Sequence, residues 1–177
     1  MPRPTATDYG VFYSNYVELT KPANNVAELI DLFADKIIQF YTNIPEEMAN
    51  YKYADDKWTV KQLLQHVIDT ERIFGFRALT FSRKDTIQLA GFNENEYAAN
   101  ADAADRSLSD LQSELFHLRK STDYLLLSFT TEQLKQKGVA SNTNITVNAL
   151  CFIMYGHLLH HKNILESRYL NTFATSA

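Results

Sequence analysis

The chain has 177 residues, a net charge of −4 and 45% hydrophobic residues, a composition typical of a folded globular protein and unlike that of a disordered one. The negative charge does not indicate a nucleic-acid partner. Because no apolar run approaches the ~20 residues that span a bilayer, and the first residues lack the apolar core of a signal peptide, we expect a cytoplasmic protein with no membrane partner. The length predicts a single domain over residues 1–177.

Residues 1–21 contain several tyrosines and phenylalanines without helical periodicity, and we interpret them as an N-terminal arm that packs on the body of the protein. The first long helix is predicted to begin after Asn25, which forms a capping-box pattern with Glu28. Hydrophobic residues then recur along one helical face before Pro45 ends the segment. They are Val26, Ile30, Phe33, Ile37 and Phe40.

The second predicted helix runs from about Val60 to Phe81. Thr59 and Gln62 precede and open it with the spacing of a reciprocal capping box. The apolar face of this segment is regular, and His66 falls at its edge. Position alone therefore favours a partly exposed histidine at this site.

The third predicted helix follows a long connection, residues 84–106, which we expect to contain a short helical turn near Tyr97. Ser109 with Gln112 is predicted to open the helix. Its hydrophobic seam follows a heptad pattern, and His117 faces away from that seam, so we interpret His117 as solvated. The seam consists of Leu108, Leu111, Leu115, Leu118, Thr122, Leu125 and Phe129.

The fourth predicted helix follows a second connection, residues 130–145. Thr146 is the expected cap, and the helix runs from Val147 to about Leu170. No segment shows sustained two-residue alternation, so the sequence predicts an all-α protein, a four-helix bundle. The long connection before the third helix can cross the whole bundle, which allows the second and third helices to run parallel.

Three small residues lie inside these predicted helices. A glycine in a helix interior costs about 1 kcal/mol relative to alanine, so Gly75 and Gly156 indicate close approach of another backbone. Cys151 is the single cysteine, which excludes an internal disulfide framework. Its helical spacing from Leu150 and Met154 favours a small buried residue over a nucleophile.

The fourth helix carries two histidines with metal-ligand spacing. His157 and His161 are four residues apart and project from one face, which lets two imidazoles share one ion. They also continue an apolar stripe, so both are predicted to point into the core. Because burying such groups costs a few kcal/mol each unless they find partners, either a ligand binds them or carbonyls and acids of the fold satisfy them.

His66 can join this pair if the second and fourth helices are antiparallel. Its distance from one helix end then roughly matches the depth of His157 and His161 in the bundle. Three histidines with open positions are a known arrangement for catalytic zinc or a similar divalent ion. The spacing leaves open the alternative of carbonyl-bonded core histidines with an unrelated His66. Leu158 stands where zinc proteases carry glutamate, which argues against protease chemistry.

From about Tyr51 to Leu170 the sequence resembles the DinB superfamily, in the branch of YfiT-like and bacillithiol-transferase-like members. The resemblance implies an up-down-down-up four-helix bundle, often a homodimer, with a long crossover between the second and third helices. It also implies a divalent ion, nickel or zinc, held by His66, His157 and His161, with His160 beside them or in the pocket. The matching segments are Lys57-Trp58-Thr59-Val60-Lys61 with His66 and Asp69-Thr70-Glu71-Arg72, Gly91-Phe92-Asn93-Glu94-Asn95 with Tyr97, and Gly156-His157 through His160-His161 to Arg168-Tyr169.

The resemblance also suggests a function, because characterised members include thiol-dependent transferases and isomerases. We therefore expect a metal-dependent transferase that joins a low-molecular-weight thiol to a small electrophile. Metal-assisted hydrolysis in the same pocket is one alternative, and a non-catalytic dimeric binding module is another.

No catalytic acid or base is assigned from the sequence. Leu158 and Asn93 replace carboxylates that many relatives carry, so a relative's acid-base role is not transferred to these positions. Asp69, Glu71 and Arg72 are candidate pocket residues, although each fits a solvated charged face as well.

Overall fold

The computed structural model describes residues 1–171, and most of these residues are helical. None of the helices in this part of the chain is long and apolar enough to span a membrane. The elements are α1 (Ser14–Leu19), α2 (Val26–Thr42), α3 (Val60–Ser82), α4 (Glu94–Asn100), α5 (Leu108–Leu127), α6 (Thr131–Leu134), β1 (Lys137–Ala140), β2 (Thr143–Thr146) and α7 (Val147–Ile164), the last continued by a π-helical segment, Leu165–Leu170.

The first and third long helices, α2 and α5, are antiparallel. The middle of α2 meets the second half of α5, where Lys120 lies 3.4 Å from Asp35. Near the end of α2, the Gln112 side chain, close to the start of α5, donates to the Tyr41 carbonyl at 3.0 Å. The contacts therefore run in opposite chain directions.

The second long helix, α3, lies parallel to α5. At its start, Lys61 donates to the Ala104 carbonyl just before α5, at 2.7 Å. Further along both helices, Glu71 pairs with Arg119 at 3.0 Å. The long crossover between the two helices carries the chain back to the end of the bundle where α3 began.

The last long helix, α7, is antiparallel to α3. Tyr169, just beyond α7, donates to the Trp58 carbonyl just before α3, at 2.8 Å. Deeper in the bundle, the ring of Phe74 lies 6.1 Å from that of His157. Together with the preceding contacts, this confirms the predicted up-down-down-up four-helix order.

The helix starts are those that local sequence dictates, with one exception. Asn25, Thr59 and Thr146 each accept a backbone N–H of the following turn, as predicted. The predicted opening of α5 at Ser109 is wrong, because Ser107 is the capping residue. The Ser109 hydroxyl lies instead within the first turn, 3.0 Å from that of Ser107.

The second connection contains a β-hairpin that the sequence analysis missed. Gly138 of β1 pairs with Ile145 of β2 in an antiparallel register. Between the strands, Ser141 and Asn142 have φ values of 50° and 59°, the conformation of a tight two-residue hairpin turn. Four-residue strands are too short to produce a sustained alternation, so periodicity could not reveal them. Leu89 of the crossover bridges to this hairpin.

The backbone of the N-terminal arm closely approaches α7 at Gly156, which has no side chain. A Cβ atom added to Gly156 would lie 2.0 Å from the Tyr16 carbonyl oxygen, whereas one added to Gly75 would meet nothing within 4 Å. The predicted close backbone approach is therefore confirmed at Gly156 and wrong at Gly75. Asn148 of α7 also binds the arm by donating to the Pro2 carbonyl at 2.8 Å.

The core contains a buried ionic cluster beside its hydrophobic residues. Arg119 lies 3.0 Å from Glu71 and 2.7 Å from Asp123, and the Tyr155 hydroxyl donates to Asp123 at 2.6 Å. Burial raises the pKa of Glu71, and the positive charge of Arg119 opposes that shift. Neither of the predicted settings of Glu71, a pocket or a solvated face, is correct, because this carboxylate links α3 to α5 in the interior.

The two helix glycines provide a matched pair of substitutions. We expect Gly156→Ala to lower the free energy of unfolding by about 1–3 kcal/mol, because the added methyl group overlaps the Tyr16 carbonyl. Gly75→Ala should instead raise it by about 0.5–1 kcal/mol, because the methyl group meets open space and alanine favours the helix. Urea denaturation of both variants measures the difference, and destabilisation of the same size in both would contradict the packing described here.

Candidate metal centre

Three buried histidines meet where α3 packs against α7. His66 of α3 and His161 of α7 each place Nε2 3.1 Å from Nε2 of His157. One nitrogen from each ring lies within 4.8 Å of the other two, an arrangement that could hold a metal ion. In a tetrahedral site with bonds of 2.0–2.1 Å, neighbouring nitrogens would be about 3.3 Å apart, close to the two shorter separations.

The three rings find no other polar partners within residues 1–171. Their hydrogen-bond contacts are with one another, and Nδ1 of His161 is buried without a partner. The alternative of core histidines bonded to carbonyls therefore lacks the bonds that it requires. A proton between two facing nitrogens can satisfy one pair, but it cannot serve all three lone pairs at once. This donor set fits a divalent ion better than a hydrogen-bonded triad.

Burial keeps the three imidazoles neutral. Desolvation, with a smaller contribution from the charge of His160, lowers the pKa of His66 to about 4. Desolvation and the neighbouring rings hold the pKa of His157 and of His161 well below the usual histidine value. Neutral rings at pH 7 have a lone pair free for a metal, so little proton competition opposes binding.

His66 is more buried than its helical position predicted. Its side chain is 3% exposed, so the expected edge position is wrong. Trp58, which precedes α3, lies across it with a ring-centroid distance of 4.9 Å. Helical periodicity reflects the residues of α3 alone, so it could not indicate that Trp58 of the preceding loop covers His66.

His160 lies beside the cluster and is half-buried. Its ring centroid is 5.0 Å from that of His161 and 5.3 Å from that of Tyr16. Burial lowers the pKa of His160, as does the positive charge of Arg168. His160 thus lies next to the three histidines, and its role beside a metal stays a prediction. His117 is exposed, as predicted.

A cavity of about 330 Å³ opens beside His66 and His157. Aromatic side chains form much of its wall, and Arg77 and Glu94 add one charge of each sign. The aromatic residues are Phe12, Tyr13, Tyr16, Phe74 and Phe92. A small molecule in this cavity would therefore contact an apolar wall and two of the three histidines.

The cavity is built from elements that the sequence analysis did not connect. Its lining includes the N-terminal arm, α3, the crossover near Gly91, the hairpin and α7. Arm and hairpin residues lacked a signal because neither segment is periodic. Arg77 could have been found from its helical phase, since 11 residues after His66 is nearly three full turns.

The other candidate residues lie outside this cavity. Asp69 and Arg72 line a separate, open depression. Leu158 is buried, and its carbonyl accepts from the Tyr41 hydroxyl at 2.8 Å. The Asn93 side chain caps α4. Neither position that lacks a relative's carboxylate lines the cavity.

Comparisons with known proteins agree with this architecture. A family model described as the DinB superfamily matches residues 29–165. No curated protein matches the chain. Among solved structures, YfiT from Bacillus subtilis, described as a probable metal-dependent hydrolase with an unusual four-helix bundle topology, aligns over 97% of this chain and 93% of its own with a TM-score of 0.71 and 17% identity. At that identity, the likeness establishes the fold.

Metal binding can be tested with two histidine variants, one at a buried histidine of the cluster and one at an exposed histidine outside it. We expect the native protein to bind one divalent ion per chain and His157→Ala to weaken binding at least about 100-fold, because His157 contacts both other ligands. His117→Ala, an exposed control, should bind like the native protein. Calorimetric titration with zinc and nickel measures all three, and equal affinity in both variants would contradict the site.

Proposed function

The chain belongs to the DinB superfamily, and we propose that it is a metal-dependent transferase that joins a small-molecule thiol to an electrophile. His66, His157 and His161 would hold the ion, with zinc or nickel as the expected metal. The observation that carries the proposal is the convergence of three buried ring nitrogens beside an open cavity.

The charge of the ligand set supports this chemistry. Three neutral imidazoles leave the positive charge of a divalent ion uncompensated, so the bound ion would lower the pKa of a thiol or water that reaches it. The protein would hold the three nitrogens in place and keep bulk water away from the ion. Trp58 and Tyr16 contribute to that exclusion, because their rings lie 4.9 Å from His66 and 5.6 Å from His157.

The cavity supports transfer to a small electrophile. Its aromatic wall can cover an apolar substrate, and its volume of about 330 Å³ is at the lower end of small-molecule sites. Glu94, the one carboxylate in the lining, is exposed. A free thiol has a much lower pKa than water, so it needs a smaller shift from the ion to ionise without help from a protein base, which favours a transferase over a hydrolase.

Metal-assisted hydrolysis is the second candidate, because the structural neighbour YfiT is described as a probable metal-dependent hydrolase. Water can reach the same cavity, and the same three histidines would hold the ion. Under this alternative, turnover would not depend on a thiol. The homodimer and the cytoplasmic location stay predictions from the family resemblance and the composition.

Turnover assays distinguish the candidates. We expect the zinc- or nickel-loaded protein to consume a chromogenic aryl halide only when a low-molecular-weight thiol is present, and we expect chelation or His157→Ala to lower this rate at least about 100-fold. His117→Ala should retain the native rate. Hydrolysis of a chromogenic ester without thiol would favour the second candidate, and no metal-dependent turnover in either assay would support the binding-module alternative.

A further inference from the structure

Arg77 is a buried cation in the cavity wall. Its side chain is 3% exposed, and it takes part in none of the ion pairs within residues 1–171. Its Nη2 donates instead to the Ala90 carbonyl at 2.9 Å and to the Ser141 hydroxyl at 3.1 Å, and its guanidinium also forms a hydrogen bond with the Tyr13 side chain. The guanidinium carbon also lies 5.6 Å from the centre of the Phe74 ring. These neutral contacts leave a full positive charge uncompensated.

The other buried arginine, Arg119, has counter-charges in the core, unlike Arg77. Arg119 lies 3.0 Å from Glu71 and 2.7 Å from Asp123, deep in the core. Burying a charge is costly unless a counter-charge accompanies it. Arg119 has its counter-charges within the protein, whereas Arg77 lines a cavity that a ligand can enter.

The donors of Arg77 favour a carboxylate as that ligand group. A guanidinium has five N–H donors in a planar fork. The Ala90 and Ser141 oxygens share one nitrogen, Nη2, and the Tyr13 side chain adds one further hydrogen bond, so the fork keeps donors for a ligand. A carboxylate matches the fork with two parallel hydrogen bonds. Glu94, the one carboxylate in the lining, does not fill this role, because it forms no ion pair with Arg77 among the described residues.

Arg77 and the three-histidine site adjoin the same cavity, so one ligand could reach both. His66 and Arg77 are 11 residues apart on α3, so they lie on nearly the same face, about 16 Å apart along the helix axis. Helical side chains tilt toward the N-terminus, and the long Arg77 side chain therefore leans toward His66. Both line the same cavity, and an extended small molecule could contact both ends.

We propose that Arg77 binds a carboxylate of the small molecule whose other end reaches the three histidines, so the cavity selects extended organic acids. The contact between the other end of the ligand and the three histidines rests on the proposed function. The contact with the carboxylate depends on Arg77 alone and can be measured without turnover.

Calorimetry with two probes of equal length that differ only in the terminal group, a carboxylate or an alcohol, tests the proposal. We expect the metal-loaded native protein to bind 6-mercaptohexanoate roughly 10- to 100-fold more tightly than 6-mercaptohexanol, as a charge-assisted contact provides. Arg77→Met should bind both equally while retaining its metal. Equal affinity of the native protein for acid and alcohol, both in this thiol pair and in the chloro pair described below, or a preference that persists in Arg77→Met, would overturn the proposal.

Ser141→Ala is the matched control for the structural bonds of Arg77. It removes one of the two oxygens that hold Nη2 but keeps the cation, so the preference for the acid should remain. Loss of the preference in Ser141→Ala as well as in Arg77→Met would show that hairpin anchoring, rather than the charge, is responsible, and would overturn the proposal.

A second probe pair identifies which reactant carries the acid. The chloro pair is 6-chlorohexanoate and 6-chlorohexanol. If only the chloro pair shows tighter binding of the acid, the carboxylate belongs to the electrophile. If only the thiol pair shows it, the carboxylate belongs to the thiol. Either result supports the proposal. If no metal binds, the proposed function fails, and the affinities of hexanoate and hexanol for the metal-free protein still test Arg77. Equal affinities there would overturn this inference too.

Discussion

The packing of α3 against α7 brings three imidazoles, whose hydrogen-bond contacts are with one another, into one buried space, and the rest of the structure depends on this contact. Their facing nitrogens, with two separations of 3.1 Å, have no carbonyl or carboxylate partner in residues 1–171. Antiparallel packing is required, because only then do His66 and the His157–His161 pair lie at the same depth. The long crossover makes that order possible, since it returns the chain before α5 begins.

The arm and the ionic cluster stabilise the two sides of α7 around this space. On one side, the absence of a side chain at Gly156 lets the backbone at Tyr16 approach next to His157. On the other side, Tyr155 binds the buried Arg119–Asp123 pair through Asp123. Ionic groups in the core thus have counter-charges within the fold, whereas the histidine cluster and Arg77 present donor and charged groups that a bound ion and an organic acid would satisfy.

Local sequence patterns predicted much of the fold and part of the site. The caps at Thr59 and Thr146 and the four long helices follow from nearest-neighbour chemistry, and the four-residue spacing of His157 and His161 is visible in one helix. The burial of His66 was not predictable, because Trp58 covers it from outside the helix. Glu71 was misplaced for a related reason, since its partner Arg119 is 48 positions away in sequence.

X-ray absorption spectroscopy of the zinc- or nickel-loaded protein tests the central claim most directly, because it reports the atoms around the ion. We expect scattering from three imidazoles plus oxygen neighbours from solvent, and the loss of one imidazole in His66→Ala. Fewer than three imidazoles in the native protein, or a spectrum unchanged in His66→Ala, would contradict a metal centre formed by α3 and α7 together.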